Sequence, residues 1–273
     1  MAITNLTFHS YYLGTEAEVT ILLPEKLAGA PVDNSGKKYP VLYLLHGHSN
    51  NGMTWATNGN VPLLCRELDL IVVMPSVGRS FYTNAKNGYL YYDYMTKELP
   101  VVMGNYFPIS NKREDTYVAG LSMGGYGAFM LAMRNPDKYV AAASMSGAMD
   151  ACHRLRAEEA DRPVQHKCAD MDENMQHIFG STAEYDGSQS DLFYLVKQLE
   201  QKGGPKPDLF FCCGLEDGLL EQNRRMEQVL KTETHLKYQY KETHGIHNWY
   251  YWNKSLVDIL KFFGFSVNTD TFN

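Results

Sequence analysis

The strongest chemical signal in this chain is the five-residue run Gly120-Leu121-Ser122-Met123-Gly124, a G-x-S-x-G pattern. It follows the β-branched stretch Thr116-Tyr117-Val118-Ala119 and precedes an Ala/Met/Leu helical pattern that reaches Arg134. That strand–turn–helix setting is what a nucleophile elbow requires. So sharp a turn holds its serine in strained backbone, and only glycine on both flanks lets strand and helix close on each other. The helix N-terminus adds the positive end of its dipole, which favours negative charge developing at Ser122 Oγ. Without partners, the same run is only a Gly-rich turn with a solvent-facing serine.

In a fold built on this elbow the partners follow in the order acid, then histidine. His244 and His247 both lie in His244-Gly245-Ile246-His247-Asn248-Trp249, between the last predicted strand and the last predicted helix. His247 is the better base, at the mouth of the helix with Trp249 placed to fix its ring, and His244 reads as a satisfied loop histidine. For the acid, Glu216 and Asp217 share the loop Cys213-Gly214-Leu215-Glu216-Asp217-Gly218. Asp217 is favoured because Gly218 allows a tight turn behind it; Glu216 then reads as a solvated charge, and Asp150 is a third candidate. An oxyanion hole needs two converging backbone N–H groups. Met123, the residue after the serine, supplies one. The second is expected from His46-Gly47-His48-Ser49-Asn50, where Gly47 admits close approach and the His48 N–H is the donor.

Two clusters invite a metal, and no metal is expected at either. His46-x-His48 lacks a third ligand, and Cys152-His153 with His166 and Cys168 has a spacing unlike that of familiar zinc fingers. Acyl transfer by serine, histidine and aspartate needs no cofactor.

These residues must be held by elements that the pattern makes visible. Thr7–Leu13 and Glu18–Leu23 read as two strands, antiparallel at a sheet edge. Val41–Leu45 and Ile71–Met74 are continuous apolar runs, as in strands buried on both faces. Helical spacing covers Pro62–Leu68 and Tyr92–Tyr106, where Pro100 predicts a kink. Strands follow at Asp115–Ala119, Val140–Ser144, Leu209–Cys213 and Lys237–Lys241, with helices over Leu219–Lys231 and Asn248–Phe263. The alternation predicts a mostly parallel central sheet flanked by helices, an α/β class. No linker divides residues 1–273, so one domain is expected. Between about 148 and 204 the rhythm breaks into a polar, charged, Met-rich tract with helices near Met171–Phe179 and Leu192–Glu200. That tract is read as a small inserted cap.

Composition narrows the function classes. Hydrophobic residues make up 44% and charged residues 21% of 273, which excludes a disordered chain. With 25 basic and 31 acidic residues the net charge is -6, so nucleic acid is not an expected partner. No apolar run approaches the ~20 residues of a membrane helix. Met1–Thr7 lacks the basic and apolar regions of a signal peptide. Five cysteines, 65, 152, 168, 212 and 213, are an odd count and no disulfide framework, which points to a reducing cytoplasm.

In combination, Leu44-Leu45-His46-Gly47-His48, Gly120-Leu121-Ser122-Met123-Gly124-Gly125, Gly214-Leu215-Glu216-Asp217 and Gly245-Ile246-His247-Asn248-Trp249-Tyr250-Tyr251-Trp252 resemble the esterase D family of α/β-hydrolases. That group includes tributyrin esterases, S-formylglutathione hydrolases and some feruloyl and acetylxylan esterases, and the likeness runs from about Tyr11 to Phe263. It implies an α/β-hydrolase fold, a triad of Ser122, Asp217 and His247, and hydrolysis of a small-molecule ester. It also implies a homo-oligomer, as many family members form. Gly78-Arg79-Ser80-Phe81-Tyr82-Thr83 resembles a family loop beside the acyl pocket. S-formylglutathione hydrolases usually carry a cysteine soon after the oxyanion-loop glycine, whereas His48-Ser49-Asn50 follows Gly47 here. That departure favours a short-chain acyl or aryl ester, such as an acetyl or feruloyl ester, over a glutathione thioester. A thioesterase or peptidase on the same triad, and a non-catalytic binding module, are the competing readings. Trp55, Tyr82 and Trp249 are expected to border the substrate. The base must be neutral to act, so activity is expected to climb with pH through the ordinary histidine range, about 6.5.

Overall fold

Near-continuous apolar runs in this chain become the middle of one sheet in the computed structural model, which describes residues 1–25, 36–156 and 170–267. In chain order the strands are β1 (Ala2–Ser10), β2 (Thr15–Leu23), β3 (Val41–Leu45), β4 (Ile71–Pro75), β5 (Thr116–Leu121), β6 (Ala141–Met145), β7 (Asp208–Gly214) and β8 (Tyr238–Thr243). They lie in the order β1-β2-β4-β3-β5-β6-β7-β8. β1 pairs antiparallel with β2, and β2 antiparallel with β4; every later pairing is parallel.

Side-chain alternation splits the core in two. Val41, Tyr43 and Leu45 of β3 face one apolar cluster, and Leu42 and Leu44 face the other. All five residues of β3, β4 and β6 are buried, as expected of strands covered on both sides. The helices doing the covering are α1 (Thr54–Thr57), α2 (Val61–Leu64), α3 (Tyr91–Asp93), α4 (Leu99–Tyr106), α5 (Met123–Arg134), α6 (His153–Arg156), α7 (Met171–Phe179), α8 (Thr182–Tyr185), α9 (Leu192–Gln201), α10 (Leu220–Glu233) and α11 (Trp249–Phe262). α5 and α9 sit over the first cluster, and α11 with α2 over the second.

Differences from the sequence reading are local. The first strand spans Ala2–Ser10, not Thr7–Leu13, because the apolar trio after Ser10 forms a turn closed by Gly14 N–H donating to the Ser10 carbonyl at 2.9 Å. Gly14 takes φ +63°, a conformation that ends the strand cheaply. The helix expected over Pro62–Leu68 is one turn, Val61–Leu64. The Tyr92–Tyr106 pattern is a helix in three joined parts, with a π-helical segment at Tyr94–Glu98 before Pro100 near the start of α4. The wide turn absorbs the proline's missing N–H.

The tightest packing lies where α5 crosses β3. A Cβ on Gly124 would meet the carbonyl oxygen of Leu45 and lie 2.7 Å from that of His46, and one on Gly120 would meet the Gly124 carbonyl. Both obstacles are backbone and cannot swing aside. Gly124→Ala is therefore expected to destabilise the protein by about 1–3 kcal/mol, read as a lower urea midpoint at unchanged slope. An unchanged midpoint would show that the crossing has slack.

Candidate active site

β5 ends at Leu121, and Ser122 follows at φ +55°, ψ −119°, with α5 starting at Met123. A serine in the left-handed region is strained by about 1–3 kcal/mol, and its neighbours hold it there. Its N–H donates to Met145 O at 2.9 Å, and its carbonyl accepts from Tyr126 N–H at 3.1 Å and Ala148 N–H at 3.2 Å. Three elements thus fix one residue.

The loops after β7 and β8 bring two side chains to it. His247 Nε2 lies 3.0 Å from Ser122 Oγ, and His247 Nδ1 lies 2.9 and 3.1 Å from the two Asp217 oxygens. A carboxylate only accepts, so Nδ1 carries the proton and Nε2 turns its lone pair to the serine. The Asp217 side chain is fully enclosed. Burial pushes its carboxyl up, but hydrogen bonds from His247 and the Leu219 N–H outweigh burial and hold it below the ordinary 3.8. The ring stacked edge-on against His247 is Trp252, at 5.0 Å, rather than Trp249 as the sequence reading had it. Residue 252 is the position that helical spacing brings back toward the helix mouth.

The rival candidates have other occupations. His244 is exposed, with Nδ1 2.7 Å from Glu216 Oε1. Glu216 is more than a solvated charge: its Oε2 accepts the Gly245 N–H at 2.7 Å, and its own N–H donates to Gly245 O at 3.1 Å. It ties the Asp217 loop to the His247 loop. Both Asp150 oxygens are taken by arginines, one by Arg156 and the other by Arg225 at 3.2 Å.

Gly47 brings the loop after β3 against the serine, since a Cβ there would lie 3.6 Å from Ser122 Cβ and 2.6 Å from Leu121 Cδ1. Met123 is the first residue of α5, where backbone N–H groups have no partner within the helix. His46 uses both ring nitrogens on backbone groups, and His48 turns its Nε2 to Asn174. Cys152 is buried, while His166 and Cys168 lie outside the described residues.

The Esterase family model matches residues 10–263, almost the whole chain. The chain belongs to the Esterase family. An acetyl esterase from Caldicellulosiruptor saccharolyticus is 31% identical over 264 residues, covering 94% of this chain and 96% of the relative. Among solved structures, the substrate-bound fluorophosphonate-binding serine hydrolase FphF of Staphylococcus aureus matches with TM-score 0.83 and 28% identity over 97% of this chain and 99% of its own. The S-formylglutathione hydrolase FrmB of the same organism matches with TM-score 0.80 and 28% identity over 96% and 98%. The fold is the α/β-hydrolase fold, and the protein is a serine carboxylesterase acting on small-molecule esters.

In this esterase two of the three aromatic residues expected at the substrate are enclosed. Trp55 and Tyr82 are completely buried; Trp55 packs edge-on to Trp249 at 5.1 Å, and the Tyr82 hydroxyl donates to His46 O at 2.9 Å. Their side chains are core, Trp55 reaching it from α1 and Tyr82 from the loop after β4. Trp249 is half-buried. Near the loop after β3 the esterase places two polar groups given no role in the sequence analysis, Asn174 and Asp170. His48 Nε2 lies 3.1 Å from Asn174 Oδ1 on α7, and Arg79 clasps Asp170 at the start of that helix. These contacts span 126 and 91 residues, and no local pattern announces them.

Because the Asp217 carboxyl is depressed in the folded state, its contribution to stability is present above the ordinary carboxylate range and lost as pH falls through the lower folded value. Asp217→Asn is expected to flatten the fall in urea midpoint between pH 4 and lower values, relative to the unsubstituted protein. Equal slopes in both would show that Asp217 titrates alike folded and unfolded.

Proposed function

We propose that Ser122 is the nucleophile, His247 the general base and acid, and Asp217 the group that orients and stabilises the imidazolium. The observation that carries this is the continuous hydrogen-bonded chain from Ser122 Oγ through His247 to the buried Asp217. Nε2 takes the hydroxyl proton as Oγ bonds to the ester carbonyl carbon. The carbonyl oxygen becomes an oxyanion, received by the backbone N–H groups of His48 and Met123. Collapse expels the alcohol with the proton from Nε2, leaving an acyl group on Ser122. Water repeats the sequence and releases the acid.

The acyl group is proposed to be short, acetyl above all. The 31% identical acetyl esterase supports this, and so does the absence of cysteine in the loop Gly47-His48-Ser49-Asn50. The S-formylglutathione hydrolase likeness supports a second reading in which the same machinery cleaves a thioester. Residues 148–204 are proposed as a cap on a single domain, since α7 reaches His48 through Asn174. Four cysteines, 65, 152, 212 and 213, are buried free thiols, which supports a reducing, cytoplasmic setting. No helix among the described residues is long and apolar enough to cross a membrane.

Burst kinetics with p-nitrophenyl acetate, butyrate and octanoate test this. A stoichiometric burst is expected, absent in Ser122→Ala, with steady turnover lower by about 10⁴-fold or more. Turnover is expected to fall from acetate to octanoate, and to exceed that of the matching thioacetate. An Ser122→Ala protein with undiminished turnover would remove the serine from the reaction.

A further inference from the structure

His46 is a completely buried histidine whose two ring nitrogens are both bonded to backbone groups. Its Nδ1 lies 2.7 Å from the Gly47 carbonyl oxygen, and its Nε2 lies 3.0 Å from the Val77 nitrogen. A carbonyl only accepts and a backbone N–H only donates, so the proton sits on Nδ1 and Nε2 is bare. The ring is neutral, and burial pushes its imidazole down to about 4. The Gly47 oxygen also accepts the Asn50 N–H at 3.1 Å.

Gly47 C=O and His48 N–H belong to the same peptide unit. That unit is planar and trans, so its carbonyl and its N–H point in opposite directions. Holding the Gly47 oxygen therefore aims the His48 N–H. The segment after β4 grips the same place from the other side: Val77 binds the His46 ring, the Tyr82 hydroxyl donates to the His46 carbonyl at 2.9 Å, and the Phe81 ring lies 5.9 Å from that of His48. Phe81 and Tyr82 adopt φ +52° and +58°, two consecutive non-glycine residues in the left-handed region. Such strain persists where surrounding packing over-determines it. Here that packing comes from Phe179 and Tyr126 on the Phe81 ring, and from Gly127 of α5, whose absent Cβ leaves room for the Tyr82 ring.

We infer that His46 and Tyr82 are positioning residues for the oxyanion hole, which turn the Gly47–His48 peptide so that its N–H faces the oxygen of the reacting ester. The inference rests on the assignment of the His48 N–H as an oxyanion donor.

The test compares His46→Ala, His46→Asn, Tyr82→Phe and Ser122→Ala in the full chain. It reads kcat and KM on p-nitrophenyl butyrate, the inhibition constant of phenylboronic acid, and thermal midpoints. The boronate forms a tetrahedral adduct with a serine oxygen and so reports on the hole directly. His46→Ala is expected to lower kcat by about 10–100-fold, short of the loss of a whole donor, with KM within about threefold. The boronate should weaken by the same factor as kcat/KM. Asn at 46 places an amide nitrogen where Nδ1 stood, so His46→Asn should recover most of kcat although it abandons Val77. Tyr82→Phe keeps its ring and is expected to lose about 3–10-fold in kcat, which carries the test if His46→Ala does not fold. Variants with lower thermal midpoints but kcat and boronate inhibition within about twofold of the parent would overturn the positioning role and leave the oxyanion assignment standing. A parent enzyme that the boronate does not inhibit, or that keeps its turnover as Ser122→Ala, would overturn both.

Discussion

The place where α5 leaves β5 and passes over β3 sets the terms for everything around it. Backbone meets backbone there, with the Gly124 Cα against the Leu45 and His46 carbonyls and the Gly120 Cα against the Gly124 carbonyl. At that distance no side chain fits, and the strand has no room to end gradually. Ser122 absorbs the whole change of direction in one residue at φ +55°. The strain, about 1–3 kcal/mol, is carried by a helix in which every residue from Met123 to Met133 is buried. The crossing also joins β3, β5 and β6, since Ser122 bonds to Met145 and Ala148.

Parallel order does the rest of the gathering. β3, β5, β6, β7 and β8 run side by side in the same sense, so the loops that follow them leave at one edge. Ligand sites of open α/β sheets form at that edge for this reason. Two histidines arrive there and are made different by their partners. His247 is part-exposed, with a carboxylate on one nitrogen and a serine on the other. His46 is enclosed and bonded only to backbone, a setting that leaves it neutral. Burial and hydrogen-bond sign separate the two, not residue type.

The loops themselves are braced in pairs. Glu216 binds the Gly245 backbone in both directions, which couples the turn holding Asp217 to the turn holding His247. Val77, Phe81 and Tyr82 brace the turn after β3, and Asn174 reaches that turn from α7. Each brace joins segments distant in sequence. A site on loops needs such cross-links to hold its geometry, because the strands fix only where each loop begins.

What the sequence determined by itself was whatever neighbouring residues decide. The continuous apolar run of β3, the Gly-flanked serine between strand and helix, and the Asn248 cap of α11, with its side chain accepting the Tyr251 N–H, each lie within a few positions of sequence. The order of the loops followed from the alternation of strands and helices, and the members of the Ser122–His247–Asp217 chain were legible from it. Tertiary structure alone decided which way side chains leave those loops. Trp252 rather than Trp249 backs His247, Trp55 and Tyr82 turn into the core, and Glu216, though exposed, binds a neighbouring backbone N–H. Those directions depend on which enclosed slot or unpaired backbone group a distant segment leaves within reach. His46 meets Val77 31 residues away, and His48 meets Asn174 126 residues away. No property of the chain near His46 or His48 encodes what the fold brings against them.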